Sequence, residues 1–226
     1  MADARTDILA RIREALKVKA PRPHLRAEPV DARPSKAGRP WLPDGGETPE
    51  SSQAILAEQL AKLKASLVRV PDAAAAAKSL QELFVSKGWK QAAVHRNALL
   101  APLVGSLPCQ VWNIEDGFSK EKLEGCDVGI TTCECLVAQL GSALVSSRTC
   151  GGRGLSILPH VHVIVATVDQ VVPDLAAALT DLRARNAGSL PSMLSFITGP
   201  SRTGDIERIL VLGAHGPKEL HVILIG

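Results

Sequence analysis

The chain has few aromatic residues and no long apolar run. None of its 226 residues is Tyr, and aromatic side chains make up 3% of the composition. Proteins that bind single-stranded nucleic acid combine basic grooves with aromatic rings on which the bases stack, so this composition argues against a nucleic-acid ligand. No apolar segment reaches the roughly 20 residues that a membrane-spanning helix needs. The sequence therefore predicts an aliphatic core and a protein with neither a nucleic-acid partner nor a membrane span.

The N-terminus does not carry the pattern of a secretory signal. Asp3, Asp7 and Glu14 interrupt it, and no long apolar region follows the first basic residues. We therefore expect the protein to stay in the cytoplasm. In that reducing compartment its five Cys are expected to be free thiols, which agrees with their odd number.

Patterns that bind a cofactor or a metal are scarce. The run CGGRG, residues 150–154, lacks the Gly-Lys-Ser/Thr ending of a P-loop, and no GxGxxG follows a predicted strand. Cys133 and Cys135 have the spacing C-x-C, which matches neither CxxC nor the runs that hold iron-sulfur clusters. His160 and His162 share one face of a predicted strand, but two ligands alone are a weak metal site. We therefore expect no metal and no cofactor in this chain, with a metal or cluster at the thiols as the less favoured alternative.

The chain divides into an N-terminal segment, residues 1–50, and an α/β domain, residues 51–226. Apolar side chains recur at helical spacing in residues 3–17, which predicts an amphipathic helix. Seven of the fifteen prolines lie between Pro21 and Pro49, which predicts an extended arm without regular structure. Residues 1–40 carry ten Lys or Arg and five Asp or Glu. This basic tail could contact an acidic partner, although a solvated tail is the favoured interpretation.

Within residues 51–226 apolar strand-like segments alternate with helical ones. The predicted helices cover residues 51–64, 72–87, 173–185 and a segment from the turn at Gly199 to Leu212. The predicted strands cover residues 67–70, 91–95, 110–114, 127–131, 142–146, 160–167, 193–198 and 220–225. Strands that alternate with helices are joined by right-handed crossovers, which favour a parallel sheet. The predicted fold class is therefore α/β, with an open, mixed and mostly parallel sheet covered by helices.

The best candidate for a functional site is the turn GPSRTGDIE, Gly199 to Glu207. It follows a predicted strand and begins a predicted helix, and ligands of open α/β sheets bind in such loops at the carboxyl ends of strands. Free N–H groups at a helix start favour an anion, and the planar fork of Arg202 suits a carboxylate or a phosphate. An ordinary capped helix with a surface Arg explains the turn equally well. The candidate ligand-binding residues in it are Gly199, Ser201, Arg202, Thr203 and Asp205.

Other loops carry groups that could join this site. The turn from Gly213 to Pro217 contains His215, which could act as an acid, a base or an anion contact if the two turns meet. Gly213 could equally be an ordinary C-cap. The CGGRG loop contributes Arg153. Glu134 is the one carboxylate of its loop, where a solvent-facing acid is the ordinary interpretation.

Four segments together resemble one known family. They are GRGLSILPHVHVIV (152–165), VVPDLAAALTDL (171–182), GPSRTGDIE (199–207) and LVLGAHGPKELHVILI (210–225). In this order they are similar to the LUD domain family, and the similarity extends over nearly the whole chain, most specifically in its last third. The resemblance implies a fold related to the NagB, RpiA and CoA-transferase-like proteins. It also implies a role in oxidising L-lactate to pyruvate, together with companion proteins that carry the redox chemistry, one of them an iron-sulfur protein.

Position by position, the resemblance assigns the family's motif to residues of all these loops. They are Glu134, Arg153, Gly199, Pro200, Ser201, Arg202, Thr203, Asp205, Glu207, Gly213, His215, Gly216 and Pro217. The chain departs from the family at three positions. Leu140 replaces a polar residue of a turn, Gly204 stands where Ala is usual, and His160 stands where Pro is common. The change at Leu140 could alter a ligand site.

Three hypotheses for the function remain open. The leading one is an accessory subunit of an iron-sulfur-dependent system that oxidises L-lactate to pyruvate, in which the GPSRTGDIE turn binds a small anionic ligand or a partner protein. The alternative is an independent enzyme of the CoA-transferase-like class, acting on an acyl or phosphate substrate with Glu134 or His215 as the reacting group. The third is a sensing or scaffolding domain without turnover. In the first, residues 1–50 help assembly, and the iron-sulfur cluster belongs to the partner.

Overall fold

The computed structural model of the chain describes residues 4–17, 43–186, 189–204, 210–213 and 215–226. The chain forms two compact units, Met1–Trp41 and Leu42–Gly226. In the first unit helix α1 spans Ala4–Lys17, which confirms the helix predicted at 3–17. Residues 18–42, which make up most of the predicted arm, lie outside the described residues. The division of the chain at residue 50 stays a prediction.

The second unit begins with alternating helices and strands, as the sequence predicted. Its helices are α2 (Pro49–Lys62), α3 (Ala73–Lys87), α4 (Ala101–Val104), α5 (Lys120–Glu124) and α6 (Leu175–Asn186). Its strands are β1 (Ser66–Val70), β2 (Gln91–Val94), β3 (Gln110–Asn113), β4 (Val128–Thr131), β5 (Cys135–Val137), β6 (Ser142–Ser146), β7 (Val161–Thr167), β8 (Val171–Val172), β9 (Leu194–Ile197), β10 (Arg202–Gly204), β11 (Leu210–Leu212) and β12 (Glu219–Ile225). None of the described helices is both long and apolar enough to span a membrane.

Local capping groups fix the ends of α2 and α3. The side chain of Thr48 accepts a hydrogen bond from the backbone N–H of Ser51 at 3.2 Å, and that of Asp72 accepts one from Ala75 at 2.8 Å. These bonds occupy N–H groups that have no partner inside the helix. Gly88 ends α3 with a φ of 67°, a left-handed conformation that glycine adopts at little cost. Such signals are local, so the sequence places these helices to within about two residues.

Six strands form a parallel sheet in the order β1-β12-β7-β4-β2-β3. Every neighbouring pair in it is parallel. Parallel sheets are covered on both faces, so their central strands are continuous apolar runs. In β7, all residues from Val161 to Ala166 are buried. The predicted α/β class, with a mostly parallel sheet flanked by helices, is confirmed.

A second sheet of four strands, in the order β8-β5-β6-β9, is mixed. Strand β8 is parallel to β5, whereas β6 is antiparallel to both β5 and β9. The strands predicted at 142–146 and 193–198 lie in this sheet rather than beside the parallel strands. The sequence predicted one mixed sheet. The antiparallel strands β6 and β9 instead belong to this second sheet, and the six-stranded sheet is wholly parallel.

The helix predicted from the GPSRTGDIE turn to Leu212 is wrong. Strands β10 and β11 occupy its two ends and pair in antiparallel register, with Arg202 opposite Leu212. Residues 205–209, between these strands, lie outside the described residues. An apolar run as short as 210–212 fits a strand as well as a helix, because periodicity cannot separate the two over so few residues.

Alternate residues of the central strands contribute to two separate cores. Val161, Val163 and Val165 of β7 pack in a core that includes α3. Ile164 and Ala166 face the other way, into a core formed with α2 and the second sheet. A third core lies between the second sheet and α6. The second unit is therefore layered as α3, the parallel sheet, α2 with the second sheet, and α6.

One titratable side chain lies within this apolar interior. His162 of β7 is 1% exposed, and its Nε2 lies 2.8 Å from Oγ1 of Thr131. Its Nδ1 is buried and has no hydrogen-bond partner in the described part of the chain. Burial lowers the pKa of His162 to about 3, because a charged imidazole loses its hydration there. His162 is therefore a neutral core residue, whereas His160 is exposed.

We predict that His162 makes the folded state less stable in acid. The unfolded His titrates near 6.5 and the folded His162 at a pKa of about 3, so between these values the unfolded state binds more protons. The contribution of His162 leaves the free energy of unfolding unchanged at neutral pH and lowers it as the pH drops below 6.5, by about 2 kcal/mol at pH 5. Urea unfolding at pH 7 and pH 5 should show a smaller loss for His162→Gln than for the wild type. His160→Gln is the control and should keep the wild-type difference; equal losses in all three proteins would contradict the prediction.

Candidate functional site

The two C-terminal turns of the sequence lie against each other. The backbone N–H of Ser201 donates to the carbonyl of Pro217 at 2.8 Å, and the N–H of Gly213 donates to the carbonyl of Ser201 at 3.0 Å. A Cβ on Gly216 would lie 3.2 Å from Cβ of Ser201, so a larger residue there would press on the neighbouring turn. The structure therefore brings Ser201, Gly213 and Gly216 into one cluster, whereas Gly199 packs against Leu63.

This cluster lies at the amino edge of the parallel sheet. Lys218, which precedes β12, donates its backbone N–H to the carbonyl of His160, which precedes β7, at 2.8 Å. The turn at 199–201 follows β9, which belongs to the second sheet. The expectation that this turn occupies the carboxyl end of the parallel sheet is therefore wrong, and the rule for ligand sites in open α/β sheets does not extend to it.

Arg202 is engaged at this edge by the end of a helix. Its guanidinium donates a hydrogen bond to the carbonyl of Leu63, the C-cap residue of α2. The last carbonyls of a helix lack partners within the helix, and a cation there is also favoured by the helix dipole. Arg202 therefore contributes to the capping of α2, and the helix start that was expected to assist it in anion binding is replaced by β10.

The other predicted residues of these turns are placed in part. Thr203 belongs to β10, opposite Val211 of β11. His215 is exposed. Asp205 and Glu207 lie outside the described residues. A catalytic role for His215 therefore stays a prediction.

Arg153 lies elsewhere, in a cleft of about 370 Å³ between its own loop and strand β9. The cleft is lined by Arg153, Ser156, Ile157, Ser192, Met193, Leu194, Ser195 and Ile197. Arg153 is the one charged side chain in this lining, and within the described ranges no carboxylate pairs with it. One guanidinium, several hydroxyls and an apolar wall together suit a small carboxylate that has an apolar part.

Glu134 lies in the loop that joins β4 to β5, and both of its carboxylate oxygens are occupied. The residue is 8% exposed. Oε1 accepts a hydrogen bond from Oγ of Ser146 at 2.6 Å, and Oε2 accepts one from Nη1 of Arg185 at 3.2 Å. Nη2 of Arg185 also donates to the carbonyl of Glu134 at 3.3 Å. Glu134 therefore joins α6 to the second sheet and is not a solvent-facing loop acid.

Cys133 and Cys135 are buried free thiols that point into different cores. Cys133 packs between the two sheets, and Cys135 packs against the side covered by α6. Burial raises the pKa of Cys135 to about 12 and also raises the pKa of Cys133. Such thiols stay protonated, and in the described part of the chain no three His, Cys, Asp or Glu side chains come together as metal ligands. The prediction of buried thiols is confirmed.

His95 is a buried titratable residue that the sequence pattern did not single out. It follows β2 and is 3% exposed. Strands β2 and β4 are neighbours in the parallel sheet. The chain leaves β2 towards β3 at one edge of the sheet and leaves β4 towards β7 in the opposite direction, so the connections that follow these two strands diverge. His95 therefore lies at the topological switch point, where open α/β sheets bind ligands. Burial lowers the pKa of His95, against the opposing effects of Glu115 and of a hydrogen bond to the Thr149 backbone.

Protein atoms close this switch point. The carbonyl of Thr149 accepts hydrogen bonds from N and Oγ1 of Thr132 at 3.2 and 3.0 Å. A Cβ on Gly151 would lie 2.8 Å from Cβ of His95, so the loop passes directly over this histidine. Nε2 of His95 is buried without a partner among the described residues. A single His after a strand gives no signal of such burial, because the covering loop comes from residues far along the chain.

Comparison with known proteins assigns most of the chain to one family model. The model described as LUD domain matches residues 54–225. Lactate utilization protein C of Bacillus velezensis is 34% identical over 122 residues, which are 53% of this chain and 51% of that protein. Lactate utilization protein C of Bacillus subtilis is 34% identical over 121 residues, which are 52% of this chain and 50% of that protein. The chain spans about half the length of the curated relatives it matches.

A solved structure is similar in fold. It is the crystal structure of a DUF162 family protein from Deinococcus radiodurans, with a TM-score of 0.64 and 22% sequence identity. The match covers 80% of this chain and 100% of that chain. At this level of identity the likeness concerns the fold alone.

A double-mutant cycle should detect the pairing of Arg185 with Glu134. Arg185→Met leaves the buried carboxylate without its cation, so we expect the free energy of unfolding to fall by about 2 kcal/mol. Fully buried pairs lose roughly 3–5 kcal/mol, but the Arg185 side chain is 50% exposed and water screens it. In a Glu134→Gln background the same substitution should cost less, because it then removes no ion pair and loses only the hydrogen bond from Nη2 to the backbone carbonyl at position 134. Arg183→Met, at an exposed position of the same helix, is the control; additive effects of the two site substitutions would rule out a contribution from the pair.

Proposed function

The chain belongs to the LUD domain family, and from that membership we propose that it is an accessory component of a system that oxidises L-lactate to pyruvate. The match to residues 54–225 and the name of the curated relatives support this role. Its companions include an iron-sulfur protein, and the cluster belongs to that partner. Because the similarity covers about half of each relative, the role of the whole protein is part of the proposal.

We further propose that this chain binds a small carboxylate in the Arg153 cleft. The observation that carries this proposal is the guanidinium of Arg153, which has no carboxylate partner in the described ranges and lines a cleft of about 370 Å³. A guanidinium can hold a carboxylate through two parallel hydrogen bonds. The hydroxyls of Ser156 and Ser195 supply polar contacts for a neighbouring hydroxyl or carbonyl, and Ile157 supplies an apolar contact for a methyl group. L-lactate and pyruvate have these groups.

The turn around Arg202 is better suited to a partner protein than to a buried ligand. Arg202 and His215 are both exposed, in turns that contact each other through Ser201 and Pro217. One donor group of Arg202 already bonds the carbonyl of Leu63. We therefore place the proposed contact with a companion protein at this amino edge and the proposed anion contact at Arg153.

Geometry favours binding over independent turnover. An enzyme of the CoA-transferase-like class would use Glu134 or His215 as the reacting group. The carboxylate of Glu134 accepts hydrogen bonds from Ser146 and Arg185, which gives it a structural role between β6 and α6. His215 lies beside the turns at the amino edge, whereas Glu134 follows the carboxyl end of β4. The two candidates therefore do not share one site.

Substitution of Arg153 tests the ligand site. We expect titration calorimetry or NMR titration of the purified chain to detect binding of L-lactate or pyruvate. Arg153→Ala should weaken that binding by about 10- to 100-fold, the range expected for loss of a charge-assisted hydrogen-bonded contact. Arg153→Lys keeps the charge but not the fork, and should bind with intermediate affinity. Arg183→Ala is the control; equal binding by Arg153→Ala and the wild type would remove the site from the proposal.

Growth on L-lactate tests the role in the cell. Deletion of the gene should abolish growth on L-lactate and leave growth on glucose unchanged, because the system needs its accessory component. A tagged chain purified from lactate-grown cells should bring down an iron-sulfur protein with the visible absorbance of a cluster. In complementation, Arg202→Ala should lower the yield of that partner, whereas Arg153→Ala should retain it. Normal growth of the deletion strain on L-lactate would refute the proposed role.

A further inference from the structure

Strand β9 has an open edge that lacks the usual protection. It pairs with β6 on one side, and no described strand pairs with it on the other. Proteins protect such edges with Lys, Pro or a bulge, because unpaired backbone groups recruit other strands. The segment SMLSFIT, residues 192–198, contains no charged residue and no Pro. This edge is therefore competent for pairing with another strand.

The backbone groups at this edge belong to apolar residues. The N–H of Ser147 on the β6 side donates to the carbonyl of Met193 at 3.1 Å, and Val145 lies opposite Ser195. In an antiparallel ladder alternate residues turn both their N–H and C=O to the same side. Since the odd-numbered residues bond towards β6, Leu194 and Phe196 turn their backbone groups towards the open edge.

Exposed apolar side chains are concentrated at the same place. The large exposed hydrophobic residues described in the second unit are Val68, Val85, Phe118, Ile157, Leu179, Leu190, Leu194 and Phe196. Two of them, Leu194 and Phe196, lie on the same face of β9, and Leu190 lies shortly before this strand in the sequence. Neighbouring exposed apolar side chains on one strand are typical of an interaction surface.

We propose that two copies of this chain pair through β9, antiparallel about a two-fold axis that passes through Ser195. In this register Leu194 lies opposite Phe196 of the second copy, and Phe196 lies opposite Leu194 of the second copy. Each of these pairs is a hydrogen-bonded pair, because both residues turn their backbone groups outward. The second sheet then continues across the axis as eight strands.

The choice of a second copy rests on the composition of the segment, in which both residues that turn their backbone groups outward are apolar. A two-fold axis at Ser195 places a Leu–Phe pair on either side of itself, and such apolar cross-strand pairs stabilise a sheet. The segment has no charge to repel its own copy. Two-fold dimers are also the commonest assemblies of identical chains. Leu194 and Ser195 line the Arg153 cleft as well, so the second copy would cover part of its opening.

Cross-linking tests the position of the axis. Ser195→Cys should form a disulfide-linked dimer under mild oxidation, because a residue on the axis faces itself at a non-hydrogen-bonded position, where Cα atoms are about 4.5 Å apart. The background is Cys109→Ser, which removes the one native thiol that is not buried. Ser192→Cys is the matched control: its two copies would lie roughly 20 Å apart, so it should remain monomeric on denaturing gels. Equal cross-linking at both positions, or none at Ser195→Cys, would overturn the proposed register.

Molar mass in solution tests the dimer itself. Light scattering should give twice the chain mass for the wild type at micromolar concentration and the single-chain mass for Phe196→Lys, which places two charges against the pairing edge. Circular dichroism should show the same secondary structure for both, and Val85→Lys, at an exposed position of α3, should stay dimeric. A monomeric wild type, including one that dimerises only with a different protein, would overturn the proposal. The result is separable from the Arg153 ligand test, since either can fail while the other succeeds.

Discussion

The burial of β7 and β12 on both faces is the constraint on which the rest of the second unit depends. Their alternate residues face opposite ways, so each strand needs apolar partners on two sides at once. On one side α3 supplies them, with Leu80 and Phe84 fully buried. On the other side α2 and the second sheet supply them, and the second sheet then needs α6 on its own far face. The layers follow from that requirement, and the loops are left at the two edges.

Parallel pairing places those edges apart. All six strands of the main sheet run the same way, so every loop after a strand lies at one edge and every loop before a strand lies at the other. Glu134 and His95 therefore lie at the carboxyl edge, while Ser201, Gly213 and the Arg202 contact with Leu63 lie at the amino edge. Glu134 and Ser201, which the same family pattern includes, thus belong to separate clusters, and a single site cannot include them both.

Hydrogen-bond partners decide which charged residues are available for function. Glu134 is a motif residue, yet Ser146 and Arg185 occupy its carboxylate and tie α6 to the second sheet. The guanidinium of Arg202 donates a hydrogen bond to the carbonyl of Leu63 at the end of α2. Arg153 has no carboxylate partner among the described residues and lines a cleft with hydroxyl and apolar walls. A guanidinium without a carboxylate partner is well suited to bind a carboxylate ligand. The proposed anion site is therefore at Arg153 and not at Arg202 in the C-terminal turn.

The elements whose signals are local can be predicted from the amino-acid sequence alone. Asp72 and Gly88 mark the two ends of α3, and the continuous apolar run in β7 marks a strand buried on both faces. Tertiary structure alone decided the hairpin at 202–212, because a three-residue apolar run carries no usable period. It also decided the assignment of β6 and β9 to a second sheet and the burial of His95, since backbone pairing and coverage come from segments distant in sequence. Local chemistry sets where an element begins and ends, whereas its neighbours set what its side chains can do.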